Sequence, residues 1–280
     1  MQDYVKSSIA ILNDTTKELN NLNQLGIYLS KQININALKT LKLIILASET
    51  NKLNKPFDIN YVGTYIESID IKTSEVYKQK ENIAGNLAMN PQNFALELFE
   101  YIIKNYHINL NFKCYGIYSI FDVWNNSLRR MEYDERDIFY KRYDMINKKL
   151  DIFEFLIYNG LLTKRQLDEL VNNYAIVVDE DRYLTNEQKQ KIGQMIIDLI
   201  KSKNEHKYIS SIKNISKEQR DKYHDQVDRI MGISRKPNLE IYSNCKNNAK
   251  EELKKYKMEN DQCAYIINEI PRLIKQKTIK

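Results

Sequence analysis

Glycine and proline are scarce in this chain, with 7 and 4 among 280 residues, against usual shares of about 7% and 5%. Sandwiches and barrels depend on many Gly- and Pro-rich turns, and Rossmann folds hold phosphates in glycine-rich loops. Neither GxGxxG nor GxxxxGK[ST] occurs. Long apolar runs are missing as well. The longest, such as Leu43 to Ala47, span about five residues, whereas a membrane helix needs about 20. No membrane partner is expected.

The amino terminus has one early lysine and an apolar stretch too short for a secretory leader. Gln2 stands where myristoylation needs glycine, and the tail KTIK has no prenylatable cysteine. Cys114, Cys245 and Cys263 are scattered and do not form a disulfide framework, so a reducing cytoplasm is the expected compartment. His107, His206 and His224 share no metal-ligand spacing with these cysteines. The run DEDRYLTNEQKQ has Leu184 at the sixth position, where a calcium loop needs glycine. Gln190 replaces its bidentate glutamate. No cofactor and no metal are expected.

What the chain does contain is apolar residues at 42%, enough for a sizeable core. With so few breakers, that core is expected from helices joined by short turns. Thr15–Glu18, Thr163–Gln166, Thr185–Gln188 and Ser216–Gln219 fit the [ST]xx[EQ] capping box. Asn90-Pro91 pairs a cap with proline in the first helical turn. Gly160 and Gly232 are expected to end helices in the left-handed conformation. Helices are predicted near 3–13, 16–30, 37–50, 60–69, 74–88, 91–106, 115–131, 135–158, 164–173, 186–203, 217–231 and 247–274. Extended pieces are predicted at 107–114 and as a short hairpin over 174–184. The expected fold is all-α: an irregular multi-helix array of antiparallel helical hairpins with, at most, one short β-hairpin.

Charge is unevenly placed. Residues 1–200 carry 24 basic and 26 acidic side chains, whereas 201–280 carry 19 and 11. The expected division is therefore a near-neutral helical domain over 1–203 and a basic helical module over 204–280. The abundance of Lys, Asn and Ile is of the kind that accompanies AT-rich genomes and suggests a viral or phage origin.

Three stretches echo one another. LELFEYIIKNYHINLNFKCYGIYSIFDVW (Leu96 to Trp124) runs from an amphipathic helix bearing Leu98, Ile102 and Ile103, through Ile108-Asn109, to Gly116 and a further helix. FDINYVG (Phe57 to Gly63) repeats the Ile-Asn, here within Asp-Ile-Asn, and its following glycine, and LDIFEFLIYNG (Leu150 to Gly160) repeats the helix and its stop. Together these resemble degenerate ankyrin-type repeats over about 80 residues. The resemblance implies a helical stack that binds protein through a concave face. Asn60 and Asn109 lie 49 residues apart, wider than the ankyrin period of about 33, and no TPLH occurs.

Function is expected to be non-catalytic, a protein–protein interaction or adaptor role. The last predicted helix carries an a/d seam through Ala249, Leu253, Tyr256, Asn260, Cys263, Ile267, Ile270 and Ile274. Leu253, Tyr256, Asn260, Ile267 and Ile270 are the candidate residues for docking a protein partner or a second copy. The alternative is a nucleic-acid-binding protein, with Lys207, Lys213, Arg235, Lys236, Lys250, Lys254, Lys255 and Lys257 meeting phosphates and interleaved tyrosines stacking on bases. A third reading rests on Arg220 and His224, one helical turn apart. Imidazole and guanidinium together suit metal-independent RNA cleavage, and the pair resembles the Rx4–6H motif of HEPN ribonucleases with one residue fewer between. RNA incubated with the protein and a chelator is expected to stay intact. Cleavage that disappears in His224→Ala would instead establish this pair as a catalytic site.

Overall fold

A computed structural model describes residues 2–16, 22–69, 76–114, 118–126, 148–149, 151–153, 155–156, 159–163, 165–166, 169, 185–187, 189–190, 194 and 239–275. Among the described residues these helices have both ends placed: α1 (Gln2–Thr16), α2 (Leu22–Lys31), α3 (Ile35–Glu49), α4 (Ile83–Met89), α5 (Asn93–Asn105), α6 (Ile120–Asn126), α7 (Cys245–Lys255) and α8 (Asn260–Lys275). A 3-10 turn, Leu239–Tyr242, precedes α7. Two strands, β1 (Gly63–Ile69) and β2 (Val76–Glu81), pair antiparallel with an irregularity between Ile66 and Ser68. The described residues are 69% helical, so the fold is mostly α.

Helix α3 is the centre. Its sequence is apolar around most of its circumference, and Ala37, Leu38, Leu41, Leu43, Ile44, Ile45, Leu46 and Ala47 are all buried. A helix with no wide polar face must be covered on several sides, and α2, α5, α7 and α8 all pack on it. Asn34 starts it by accepting a hydrogen bond from the Asn36 N–H at 2.8 Å. The one polar side chain on its buried face, Thr40, donates to the Asn36 carbonyl one turn back at 2.7 Å.

Helix α2 reaches its neighbours through Gly26. A Cβ there would lie 2.7 Å from the Phe57 ring and 2.9 Å from Ile83 Cδ1, so any side chain would push α2 away from both. The last carbonyls of a helix lack backbone partners one turn on; at the end of α2 Ser30 Oγ and Gln32 meet some of them, and asparagines near α4 add further bonds. The Asn86 amide donates to the Ile27 carbonyl at 3.2 Å and to Ser30 Oγ at 2.9 Å. The Asn90 amide donates to the carbonyls of Ser30 at 3.1 Å and Gln32 at 2.9 Å. Glu81, at the end of β2, is ion-paired with Lys31, the last residue of α2.

Several local expectations meet the structure directly. At Thr163 the capping box closes in both directions: Thr163 N–H donates to Gln166 Oε1 at 2.9 Å, and Gln166 N–H to Thr163 Oγ1 at 3.3 Å. Gly160 has φ of 64°, and Leu161 N–H reaches back to the Leu156 carbonyl at 2.9 Å, the bond of a Schellman stop. Residues 107–114 are non-helical, as expected. Two similar turns lie in the echoing stretches, two residues out of the register that sets Asn60 opposite Asn109. Asn60 N–H donates to Asp58 Oδ1 at 2.9 Å and Asn111 N–H to Asn109 Oδ1 at 3.1 Å. The first turn touches the second segment through Asn60 Nδ2, 3.4 Å from the His107 carbonyl.

Other expectations need correction. The helices predicted over 60–69 and 74–88 are strands β1 and β2 up to Glu81, and only α4 beyond it is helical. Thr64, Tyr65, Ile66, Val76 and Tyr77 are β-branched or aromatic types that suit a pleated strand, and short apolar runs do not separate the two periods. Asn90 does not cap α5, which begins at Asn93 with Gln92 in the cap position: it ends α4 instead, and its Oδ1 accepts from the Gln92 N–H at 3.1 Å, before α5 begins. The predicted helix over 247–274 is two helices. Tyr256 to Glu259 are non-helical and separate α7 from α8. The hairpin predicted at 174–184, the caps at Ser216 and Gly232, and the predicted boundary at 203–204 lie outside the described residues.

By packing, the chain falls into two compact units, 1–124 with 241–280, and 125–240. In the first unit α7 and α8 pack with the N-terminal helices. The reason is the apolar surface of α3, which neither charge nor sequence distance reveals. The polar bridge between α2 and α4 has a measurable cost of removal. Asn86→Ala removes the amide bonds to the Ile27 carbonyl and Ser30 Oγ, which stay bonded to each other, and is expected to destabilise the first unit by about 1 kcal/mol. Urea unfolding followed by the fluorescence of Trp124, the single tryptophan, which is buried between Phe99 and Phe121, would show this.

Candidate interaction surface on the C-terminal helices

Helix α7 lies antiparallel along α3, as its paired residues show. Cys245 Sγ donates to Glu49 Oε2 at 3.7 Å, Lys42 Nζ is 3.5 Å from Glu252 Oε2, and the Tyr256 hydroxyl donates to the Lys39 carbonyl. As the number rises on one helix it falls on the other. Ala249 and Leu253 make the apolar contact. Lys39 Nζ then donates to Glu259 Oε2 at 3.0 Å, just before α8 begins. Gln262, wholly buried in the first turn of α8, donates to the Tyr256 hydroxyl at 3.0 Å. Asn248 donates to Asn105 Oδ1 at 2.8 Å, tying α7 to the end of α5.

The seam between α3, α5 and α7 collects phenols and a thiol. Lys42 Nζ lies 5.6 Å from the Tyr101 ring centre and 6.0 Å from that of Tyr256, within reach of the cation–π attraction. Burial, then the nearby Cys245, Glu252 and Glu49, hold the Tyr101 phenol well above its ordinary pKa. Burial raises Tyr106 further, again with Cys245 and Glu49 beside it, and it raises Tyr256. The Cys245 thiol is pushed up to about 11, by burial first and Glu49 second. Cys114 is likewise pushed up to about 11 by burial. These groups are protonated at neutral pH, and a protonated thiol is a poor nucleophile.

The candidate docking residues are distributed between two faces. Leu253, Tyr256 and Ile270 are occupied within the unit: Leu253 is buried against α3, Tyr256 is hydrogen-bonded to it, and Ile270 is 0% exposed. Asn260 and Ile267 face outward, Ile267 at 50% exposure. The non-helical Tyr256–Glu259 link resets the helix phase. The buried side of α8 is therefore Gln262, Ile266, Ile270 and Leu273, not the register through Cys263 and Ile267 that one continuous helix would give. Helix α8 packs that side against α1 and α3, and Ser8 Oγ comes within 3.8 Å of Cys263 Sγ.

Of the candidate phosphate-binding residues, Lys250, Lys254, Lys255 and Lys257 are all exposed. Lys207, Lys213, Arg235 and Lys236 lie outside the described residues, as do Arg220 and His224. Among the described residues no three His, Cys, Asp or Glu side chains are grouped to hold a metal ion, and no helix is long and apolar enough to cross a membrane. Sequence reasoning missed Lys39, Lys42 and Glu49, whose partners lie about two hundred residues away along the chain. It also missed Lys149 in the second unit, which is 1% exposed and whose ammonium burial pushes down to about 7. No protein-family model, curated protein or solved structure matches this chain.

The raised thiol gives a direct test. With its pKa moved from 9.0 to about 11, Cys245 holds roughly 100-fold less thiolate at neutral pH than it does unfolded. Alkylation by iodoacetamide, followed by peptide mass spectrometry, should be slower at this site in the native protein than in urea by that order. The sign of the linkage follows. Folding raises this pKa, so its stabilising contribution is complete below pH 9 and is lost as pH rises through 11.

Proposed function

We propose that the protein is a non-catalytic interaction protein, an adaptor that pairs with a second copy of itself through the outer face of α8. The observation that carries this reading is Ile267. It stands half exposed beside Ala264, one turn earlier, which is also exposed. Asn260, Ala264, Ile267 and Pro271 recur at four, three and four residues, and so share one face. The buried residues Gln262, Ile266, Ile270 and Leu273 occupy the opposite one. A helix that has already spent one apolar face on its own core and keeps an apolar stripe outside is suited to a helical partner.

Homotypic pairing fits the chemistry of the stripe. In a two-fold contact each residue meets its own surroundings, so a charged stripe would repel itself. This one is uncharged, and Ala264 is small enough to let two backbones approach. Arg272 at its edge is already paired with Glu269 at 2.6 Å. The protonated thiols and buried phenols of the first unit support a binding role over nucleophilic chemistry. One helix stripe is smaller than a standard stable interface, so the association is weak, with a Kd on the order of micromolar. Sedimentation velocity of the full chain over about 1–100 µM should show a monomer–dimer equilibrium that Ile267→Asp abolishes and Ile267→Leu retains. A monomer at every concentration, or a dimer indifferent to Ile267→Asp, would sink the reading.

A further inference from the structure

We propose that the outward face of α7 is a binding surface for the phosphate backbone of nucleic acid, a site separate from the α8 stripe. The argument is one of charge placement. Between Cys245 and Glu259 the chain has five lysines, Lys246, Lys250, Lys254, Lys255 and Lys257, and three glutamates, Glu251, Glu252 and Glu259. The segment is therefore only weakly basic as a sequence. The fold changes this. Glu252 is met by Lys42 and Glu259 by Lys39, both lysines of α3, so two of the three acids have a cation of their own from outside the segment, although Glu259 itself stays exposed. All five lysines of the segment are exposed. Glu251 alone is left among them, paired with Lys254 at 2.7 Å. Among the described residues, no ion pair engages Lys246, Lys250, Lys255 or Lys257. The exposed surface of the segment thus carries five lysines against Glu251 and Glu259, and Glu259 is already paired with Lys39.

The geometry also selects the ligand. Lys246, Lys250 and Lys254 follow at intervals of four, so their stems climb α7 in steps of about 6 Å along one edge. The apolar residues of α7, Ala249 and Leu253, are buried on α3. Nothing apolar remains to anchor a protein hot spot or to enter a bilayer. The rest of the face is polar: Ser243, Asn244, Asn247 and Asn248 are exposed beside the lysines. A row of cations and amides without an apolar anchor suits a regular polyanion, whose phosphates recur along the strand and whose bound counterions are released on contact. The same surplus of positive charge prevents this face from pairing with its own copy. Binding here is independent of sequence, since phosphate contacts carry no base information.

The test uses the full-length protein and a fluorescein-labelled 20-nucleotide single strand and its duplex, read by anisotropy from about 50 to about 200 mM salt. The variant reverses Lys246, Lys250 and Lys257 to Glu. The control reverses Lys6, Lys52 and Lys113, which are equally exposed and change the overall charge by the same amount. The α7 variant should lose about tenfold or more in affinity, and its log–log salt dependence should become shallower by roughly two to three. The neutral set K246Q/K250Q/K257Q should fall between it and the unmodified protein, and the control should stay within about threefold of the unmodified protein. Three results would each overturn the proposal: no binding at the lower salt, equal losses in both reversal variants, or equal displacement of the oligonucleotide by polyglutamate of the same charge. The last would assign the face to an acidic protein.

Discussion

Helix α3 has little surface to give to water. Nine of its fifteen residues are buried, and they point in nearly every direction around its axis. Much of the first unit follows from the need to cover it: α2 on one side, α5 on another, and finally α7 and α8, which return from the far end of the chain. Apolar area removed from water stabilises at about 25 cal/mol per Å², and here it outweighs the loop entropy of bringing distant segments together, which grows only slowly with length.

Polar groups caught in this packing are handled by specific partners. At the end of α2 the Asn90 amide meets the carbonyls of Ser30 and Gln32, and Asn86 joins Ser30 Oγ at the Ile27 carbonyl. The Lys39 carbonyl on α3 accepts from Tyr256, although it sits in mid-helix, which draws α7 to a fixed register. Tyr101, Tyr106 and Cys245 are held protonated in the same seam by loss of water and by the nearby carboxylates. Chemistry-bearing side chains here serve to hold α7 in place. The consequence for function lies on the outside: α7 keeps its lysines exposed while its Glu252 meets Lys42 of α3, and α8 leaves Ala264 and Ile267 exposed because its other face already covers α1 and α3.

The helical class, the scarcity of sheet and the local stops were legible in the residues. Few glycines and prolines leave long uninterrupted segments. The Thr163–Gln166 box and the Gly160 stop depend on side chains within a few positions of one another, so their geometry is local and the sequence contains all of it. The echo between residues 57–63 and 107–116 did not locate the turns: those have Asp58 and Asn109 as acceptors, two residues out of its register. Asn260 and Ile267 were found from the heptad pattern and do face outward. Leu253 and Ile270 were found by the same pattern and are buried, since an amphipathic stripe does not say which partner will cover it.

The sequence by itself determined that the chain folds mainly into helices, where some of them start and stop, and how much charge its last eighty residues carry. Only the tertiary structure decided that α7 and α8 belong to the N-terminal helices, that four non-helical residues reset the phase of the last helix, and that two glutamates are matched by lysines of α3. The physical reason is range. Caps and stops are settled within one or two turns of backbone. Which lysine meets which glutamate, and which face of an amphipathic helix stays in contact with water, depends on segments about two hundred residues apart that meet only when α3 is covered.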